Sequence, residues 1–199
     1  MTDDRVLLFG CGIFAREFML LDPALRRRFE PSFLDSMLHM KPALLGERLG
    51  LALTAAGPAS GGQRRRVILY GDCCPEMEAY STAPGAIRTR CTNCVELALG
   101  ARRFRELRRE GAFFFMPEWL PRWEEVFERE LGFGSIDRAA EFLRESASRL
   151  VYVDTGALPL PEAKLARLGE RFGLPVRIEK AVGGALEEAL RGALDELDL

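Results

Sequence analysis

The sequence predicts an α/β fold: a mostly parallel sheet with helices on both faces, a Rossmann-like three-layer sandwich. Three observations predict it. Short apolar runs alternate with amphipathic helical stretches from end to end, and that alternation builds parallel sheets. The runs "RVLLF" and "AFFFM" are apolar throughout, as strands buried on both faces are. The composition is that of an ordinary globular chain, with 48% apolar and 29% charged residues among 199.

The elements follow in order. Residues 5–9 read as a strand entering the tight turn Gly10-Cys11-Gly12. Residues 13–29 carry helical apolar spacing at Phe14, Phe18, Leu21 and Leu25. "PSFLDSMLHMKP" reads as a second strand and a loop holding His39. Pro42 suits the first turn of a helix that reaches about residue 56. "GPASGGQ", residues 57–63, reads as a surface loop. "VILY" is the most strand-like run, and residues 87–90 form a weaker strand. Thr92 or Asn93 caps a helix from Cys94 to about Glu110. "AFFFM" is a strand, and "PEWLPRWEEVFEREL" an amphipathic helix with Trp119, Trp123 and Phe127 on its core face. A helix over 136–148, the strand "LVYV", a helix over 161–172, a strand over 175–179 and a helix over 185–197 complete the chain. No composition break divides it. Residues 1–199 are expected to form a single α/β domain, with at most a weak division into two sub-lobes near residue 111.

Charge excludes some functions. The net charge of -2 and pI of about 5.7 give no basic nucleic-acid surface; the arginines at 64–66 and 102–109 read as solvated faces. The acidic start "MTDDRVLLFGCG" is not a secretory signal. No apolar run approaches the roughly 18 residues of a membrane span. The expected location is the cytoplasm.

Ligands of open α/β sheets bind beyond the carboxyl ends of the strands. The first predicted strand ends at Cys11, and the loop after the second holds His39, the only histidine. The third is followed by Asp72, Cys73 and Cys74, the fourth by Cys91 and Cys94. All five cysteines and the histidine thus fall on one edge of one sheet. A single free cysteine is best read as a small buried hydrophobe. Five at strand ends point to shared metal or redox chemistry. Cys11, Cys73 and Cys94 with His39 would form a Cys₃His zinc site. Cys11, Cys73, Cys91 and Cys94 would suit an iron–sulfur cluster. The choice between zinc and iron stays open, and Cys74 is a further candidate ligand. His39 and Glu96 are candidates for proton transfer. Gly12, Gly71 and Asp72 lie in the same turns and are candidate cofactor contacts.

Other signals are weaker. "FGCGIF" lacks the third glycine of a dinucleotide turn, and "GDCC" is not a nucleophile elbow. Glu17 stands behind Cys11 in a helix. Asp154, in "YVDTG", either lines the cleft or caps a turn. The C-x-x-C of Cys91 and Cys94 supports an alternative, a dithiol redox or thiol-transfer enzyme, with the helix start lowering the thiolate pKa of Cys94.

The ordered motifs "GCGIFAREF", "LHMKP", "YGDC", "NCVELALG", "FFFMPEWLPRW", "LVYVDTG" and "LGERFGLPVRIEK" resemble those of the domain-of-unknown-function family 1638. The resemblance implies Cys11, Cys73 and Cys94 as the family-pattern thiols; Cys74 and Cys91 are additions of this chain, each a fourth ligand or a spectator. It implies no firm activity. Members are typical of anaerobic bacteria and methanogenic archaea, often encoded beside corrinoid proteins and methyltransferases. That company implies a role supporting corrinoid-dependent methyl transfer in one-carbon metabolism, with a small molecule or a corrinoid or methyltransferase protein as partner and a corrinoid as a further candidate cofactor. A non-catalytic corrinoid- or partner-binding protein is the third reading. Nucleic acid and membrane are not expected partners, and oligomeric state is left open.

Overall fold

The computed structural model describes residues 5–57 and 65–198. Apart from Gly57, the loop expected at 57–63 lies outside the described residues. Parallel strands flanked by helices are present as expected, but they form two sheets. One has the order β2-β1-β3-β4 and the other β5-β6-β7. Alternation of strands and helices predicts parallel pairing without fixing which strand pairs with which. By their contacts, the residues divide into two compact units, Met1–Leu97 with Gly184–Leu199, and Ala98–Gly183.

The first unit holds β1 (Val6–Cys11), β2 (Phe29–Leu34), β3 (Arg66–Leu69) and β4 (Ala86–Arg88). All neighbours pair in parallel, with Cys11 opposite Leu34, Gly10 opposite Leu69 and Ile68 opposite Arg88. The central strands β1 and β3 are buried at every position. Pro31 falls inside β2, which is tolerable because β2 is an edge strand. The helical spacing at 13–29 is interrupted. A 3₁₀ turn, Gly12–Phe14, leads into α1 (Ala15–Met19), and a second helix, α2 (Pro23–Arg26), starts separately. Asp22 forces the restart: its carboxylate accepts from the N–H groups of Ala24 and Leu25 at 2.8 and 3.1 Å, with proline at the first helical position. Phe18 of α1 lays its ring edge-on to Phe29 and Phe33.

A 3₁₀ turn, Ser36–Met40, precedes α3 (Pro42–Ala55), and α4 (Met77–Ser81) follows β3. The sequence reading did not anticipate α4. It packs on α3 through two glycines: the Tyr80 hydroxyl donates to Gly46 O at 2.9 Å, and a Cβ on Gly50 would lie 2.7 Å from that hydroxyl. Strand order with right-handed crossovers puts α1 and α2 on one face of the sheet and α3 and α4 on the other. α5 (Cys94–Leu99) begins after β4, and α10 (Ala185–Glu196) returns to this unit. Buried Arg66 donates to the C-terminal carbonyls of α3, at Leu53 and Gly57.

The second unit holds α6 (Ala101–Arg109), β5 (Ala112–Phe115), α7 (Trp123–Glu125), α8 (Ile136–Ser146), β6 (Arg149–Asp154), α9 (Glu162–Phe172) and β7 (Val176–Lys180). The single helix expected from Cys94 to Glu110 is split at Gly100, whose φ of 76° no helix accommodates. The helix expected over "PEWLPRWEEVFEREL" is a 3₁₀ turn, α7 and a π turn, Val126–Glu130. Side-chain alternation along β5 serves two faces. Phe114 meets Phe104 of α6 at 5.4 Å between centroids, while Phe113 and Phe115 each meet Phe127 at 5.7 Å. Phe127 also packs against Phe172 of α9 at 4.8 Å, so its cluster joins this sheet to α8 and α9. No described helix is long and apolar enough to cross a membrane.

Candidate metal centre

The strand order of the first sheet determines where a ligand can enter. From β1 the chain steps to β2 on one side, then reverses to β3 and β4 on the other. Such a reversal opens a crevice at the carboxyl ends of the two strands flanking it, here β1 and β3. Cys11 is the last residue of β1, Cys73 and Cys74 follow β3, and Cys91 and Cys94 follow β4. His39 lies in the 3₁₀ turn beyond β2.

Two glycines let the loops close on one another. A Cβ on Gly71 would lie 2.2 Å from Thr92 O, inside any permissible contact. Without it, the Asp72 N–H donates to Thr92 O at 2.9 Å. The loop carrying Cys73 is thereby fastened between Cys91 and Cys94. A Cβ on Gly12 would lie 2.8 Å from Leu34 O, so the turn after Cys11 sits tightly on the end of β2. Both glycines are thus required by the chain's own backbone. Tyr70, buried just past β3, donates its hydroxyl to Gly10 O at 3.0 Å and ties the ends of β3 and β1 together.

The thiols interact with one another. The neighbouring Cys11 thiol first, then burial, then Cys73 and Cys91, push the Cys94 thiol well above the usual thiol range. Burial, followed by the neighbouring Cys11, pushes Cys73 up to about 11. Cys91 is raised by burial and partly relieved by Thr89, whose hydroxyl lies 3.9 Å from its sulfur. Burial and the surrounding thiols, Cys11 foremost, also raise the Tyr70 phenol. Cys74 differs. It is buried, and after burial its main influences are the backbone and carboxylate of Glu76 at the start of α4. The helix start therefore does not lower Cys94 as expected; the six-residue α5 is outweighed by burial and a neighbouring thiol.

The remaining candidates are held by local structure. The Glu96 carboxylate accepts from the Thr92 N–H at 2.9 Å and from its hydroxyl, while Asn93 Oδ1 accepts from the Glu96 N–H at 2.9 Å. This is a capping-box arrangement at the start of α5. The Asp72 carboxylate is exposed and pairs with Arg88 at 2.6 Å. His39 Nδ1 lies 2.5 Å from Ser36 O. A carbonyl only accepts, so Nδ1 is the donor in this contact. Glu17 is half-buried in α1. Asp154 ends β6 in the other sheet, where its Oδ1 accepts from the Gly156 N–H at 3.0 Å and closes a turn.

Sequence reasoning gave no site role to Tyr70, Thr89 or Arg88. Tyr70 carried a signal, as the polar end of the most strand-like run. Thr89 and Arg88 act through partners distant in sequence or through sulfur, which spacing does not reveal. Among the described residues, no three His, Cys, Asp or Glu side chains stand ready as a metal-ligand group. The donor chemistry nonetheless fits a soft cation: thiols are soft ligands that a bound cation deprotonates, and Cys73 and Cys94 are raised by burial and by neighbouring thiols.

A family model described as "Protein of unknown function (DUF1638)" matches residues 33–190. The match includes His39 and four of the cysteines and begins after Cys11. No curated protein and no solved structure matches the chain.

Proposed function

We propose, for a chain that belongs to the DUF1638 family, a metal-binding role in which Cys11, Cys73, Cys91 and Cys94 hold an iron–sulfur cluster or zinc at the carboxyl edge of the four-stranded sheet. The observation that supports the reading is the placement of these thiols after the carboxyl ends of three parallel strands beside the β1/β3 reversal. Cys74 is left out because, after burial, Glu76 at the start of α4 and not the other thiols is its main influence. His39 is left out of the ligand set because four thiols already complete a tetrahedral donor set.

When bound, the group supplies a Lewis acid or an electron carrier. The chain's own contributions are positional. Gly71 and Gly12 bring the loops into register, Tyr70 ties β1 to β3, and the capping box fixes the direction in which α5 presents Cys94. Ligation requires the thiols to lose their protons and turn toward one centre. His39, in the 3₁₀ turn beyond β2, would be the proton carrier on that side. The service to corrinoid-dependent methyl transfer rests on the family resemblance. The alternative dithiol chemistry of Cys91 with Cys94 is disfavoured by their raised thiols, since the thiolate is the nucleophile.

Protein purified without oxygen tests the proposal. A brown protein with iron and sulfide, or a colourless one with stoichiometric zinc, is the expected result. A metal-free protein with all five thiols free in native form would overturn it.

A further inference from the structure

We propose that a second copy of this chain docks on β7, pairing its own β7 antiparallel about a two-fold axis through Ile178. β7 is an edge strand, bonded within its sheet to β6 alone. At the two ends of this ladder, Leu150 N–H donates to Pro175 O at 2.9 Å and Ala181 N–H donates to Asp154 O at 2.8 Å. Alternate residues of a paired strand turn their N–H and C=O to opposite sides. The odd-numbered residues of β7 therefore face β6, and Val176, Ile178 and Lys180 present theirs to the open side. An edge of this kind is a template for another strand.

The open row has defined ends. Leu174, one step before it, donates its N–H to Gly169 O at 3.2 Å, and Val182, one step after it, donates to Ala98 O at 2.8 Å. Among the described residues, Val176, Ile178 and Lys180 make no backbone bond outside the sheet. The row is thus centred on Ile178 and is complementary to its own copy. In an antiparallel pair Ile178 meets Ile178 of the second copy, and Val176 meets Lys180 of the second copy. Each such pair exchanges N–H···O=C bonds in both directions.

The side chains agree with this register. Ile178 is 42% exposed, and the axis sets it against itself, withdrawing apolar surface from water on both copies. On the other face of the strand, Arg177 comes opposite Glu179 of the second copy. Within one chain Arg177 already pairs with Glu179, which Arg103 also holds. The axis therefore lines opposite charges up across the interface, the favourable cross-strand arrangement. A parallel pairing of each residue with itself would instead set Arg177 on Arg177 and Lys180 on Lys180. The two-fold uses up the β7 edge of both copies, so assembly closes at a dimer. The interface involves none of the cysteines.

The test uses the full chain under reducing conditions, in sedimentation and light scattering across a concentration series. Wild type is expected to reach twice its 22.3 kDa. Ile178→Glu sets two carboxylates on the axis and is expected to stay at the mass of one chain, with an unchanged circular dichroism spectrum. Arg177→Glu is expected to weaken dimerisation about tenfold. Ile178→Cys and Arg177→Cys, oxidised and mapped as peptides without reduction, read the register. In a bonded antiparallel pair, positions 178 of the two copies lie about 5.5 Å apart between Cα atoms, within disulfide reach. Positions 177 are diagonal neighbours, about 7–8 Å apart, beyond that reach. A link of position 178 to itself, absent at 177, is the expected result. A wild type that stays at the mass of one chain, a dimer that Ile178→Glu leaves intact, no link at 178, or an equal link at 177 would each overturn the inference. So would growth into open-ended polymers, which would mark β7 pairing with the other edge strand, β5.

Discussion

The two sheets use the same parallel pairing and end in different chemistry. In the β2-β1-β3-β4 sheet the connections reverse at β1, and cysteines end or follow the strands β1, β3 and β4. In the β5-β6-β7 sheet the strands follow one another without reversal, so no switch point forms. Its strand ends carry no cysteine, and its aspartate, Asp154, closes a turn. The second unit instead concentrates aromatic side chains, with Phe127 in contact with Phe113, Phe115, Phe133, Phe172 and Trp123. The contrast teaches that parallel pairing alone does not gather donors; the cysteines stand at the sheet whose strand order reverses.

The largest effect is expected from the aromatic unit. Phe127 is fully buried, and Phe127→Ala should destabilise the protein by about 3–5 kcal/mol through lost burial and the cavity left behind. Denaturant unfolding reads this out; a loss under about 1 kcal/mol would show that the cluster collapses easily and is not the keystone of its unit.

In the thiol-bearing unit the sensitive position is Gly71. Gly71→Ala must move the loop off Thr92, and should cost about 3 kcal/mol, the upper end for overpacking. It should also reduce metal content, since Cys73 is displaced from Cys91 and Cys94. Gly192 in α10 is the control, because a Cβ there meets nothing within 4 Å. Gly192→Ala should stabilise by about 0.5–1 kcal/mol and leave metal content unchanged. Equal behaviour of the two variants would break the account of loop closure.

Glu96 sharpens the boundary between scaffold and site. As a capping residue, Glu96→Ala should cost about 1 kcal/mol in thermal unfolding and leave the metal in place. A protein of unchanged stability that lacks metal would instead put Glu96 in the centre.

The smallest effect is electrostatic and belongs to the second unit. Arg103 holds Glu179 with paired contacts, one at 3.1 Å, and this contact keeps the Glu179 carboxyl below its usual 4.5. The folded value is depressed, so the contribution is full above pH 4.5 and is lost as pH falls through the folded value. Arg103→Met should therefore be less stable than wild type at neutral pH, with the difference closing under acid. A difference that persists unchanged at acid pH would mean that packing of the arginine stem, not charge, is responsible.

Much of this fold was legible. "RVLLF", "VILY", "AFFFM" and "LVYV" are strands because central parallel strands are buried on both faces and need no polar alternation. The division into two sheets was not legible, because it depends on which edge β5 joins, a tertiary choice absent from local pattern. Gly100 and the Asp22–Pro23 pair broke helices that apolar spacing ran together, and both carried signals that spacing alone overrode. At the site, the gathering of thiols at strand ends could be read from order and punctuation. Their mutual influence could not: spacing joins Cys94 to Cys91, whereas the neighbouring Cys11 raises the Cys94 thiol most. The capping role of Glu96 was readable from Asn93 three residues earlier. The Asp72–Arg88 pair, which depends on two neighbouring strand ends, was not.

The central claim is that four particular thiols hold one metal centre. Alkylation mapping of oxygen-free, as-isolated protein, with and without a strong chelator, tests it most directly. The account predicts that Cys11, Cys73, Cys91 and Cys94 are protected until the chelator is added and then react, while Cys74 responds the same way in both conditions. Reactivity that ignores the chelator, or a chelator response at Cys74 in place of Cys91, would contradict it.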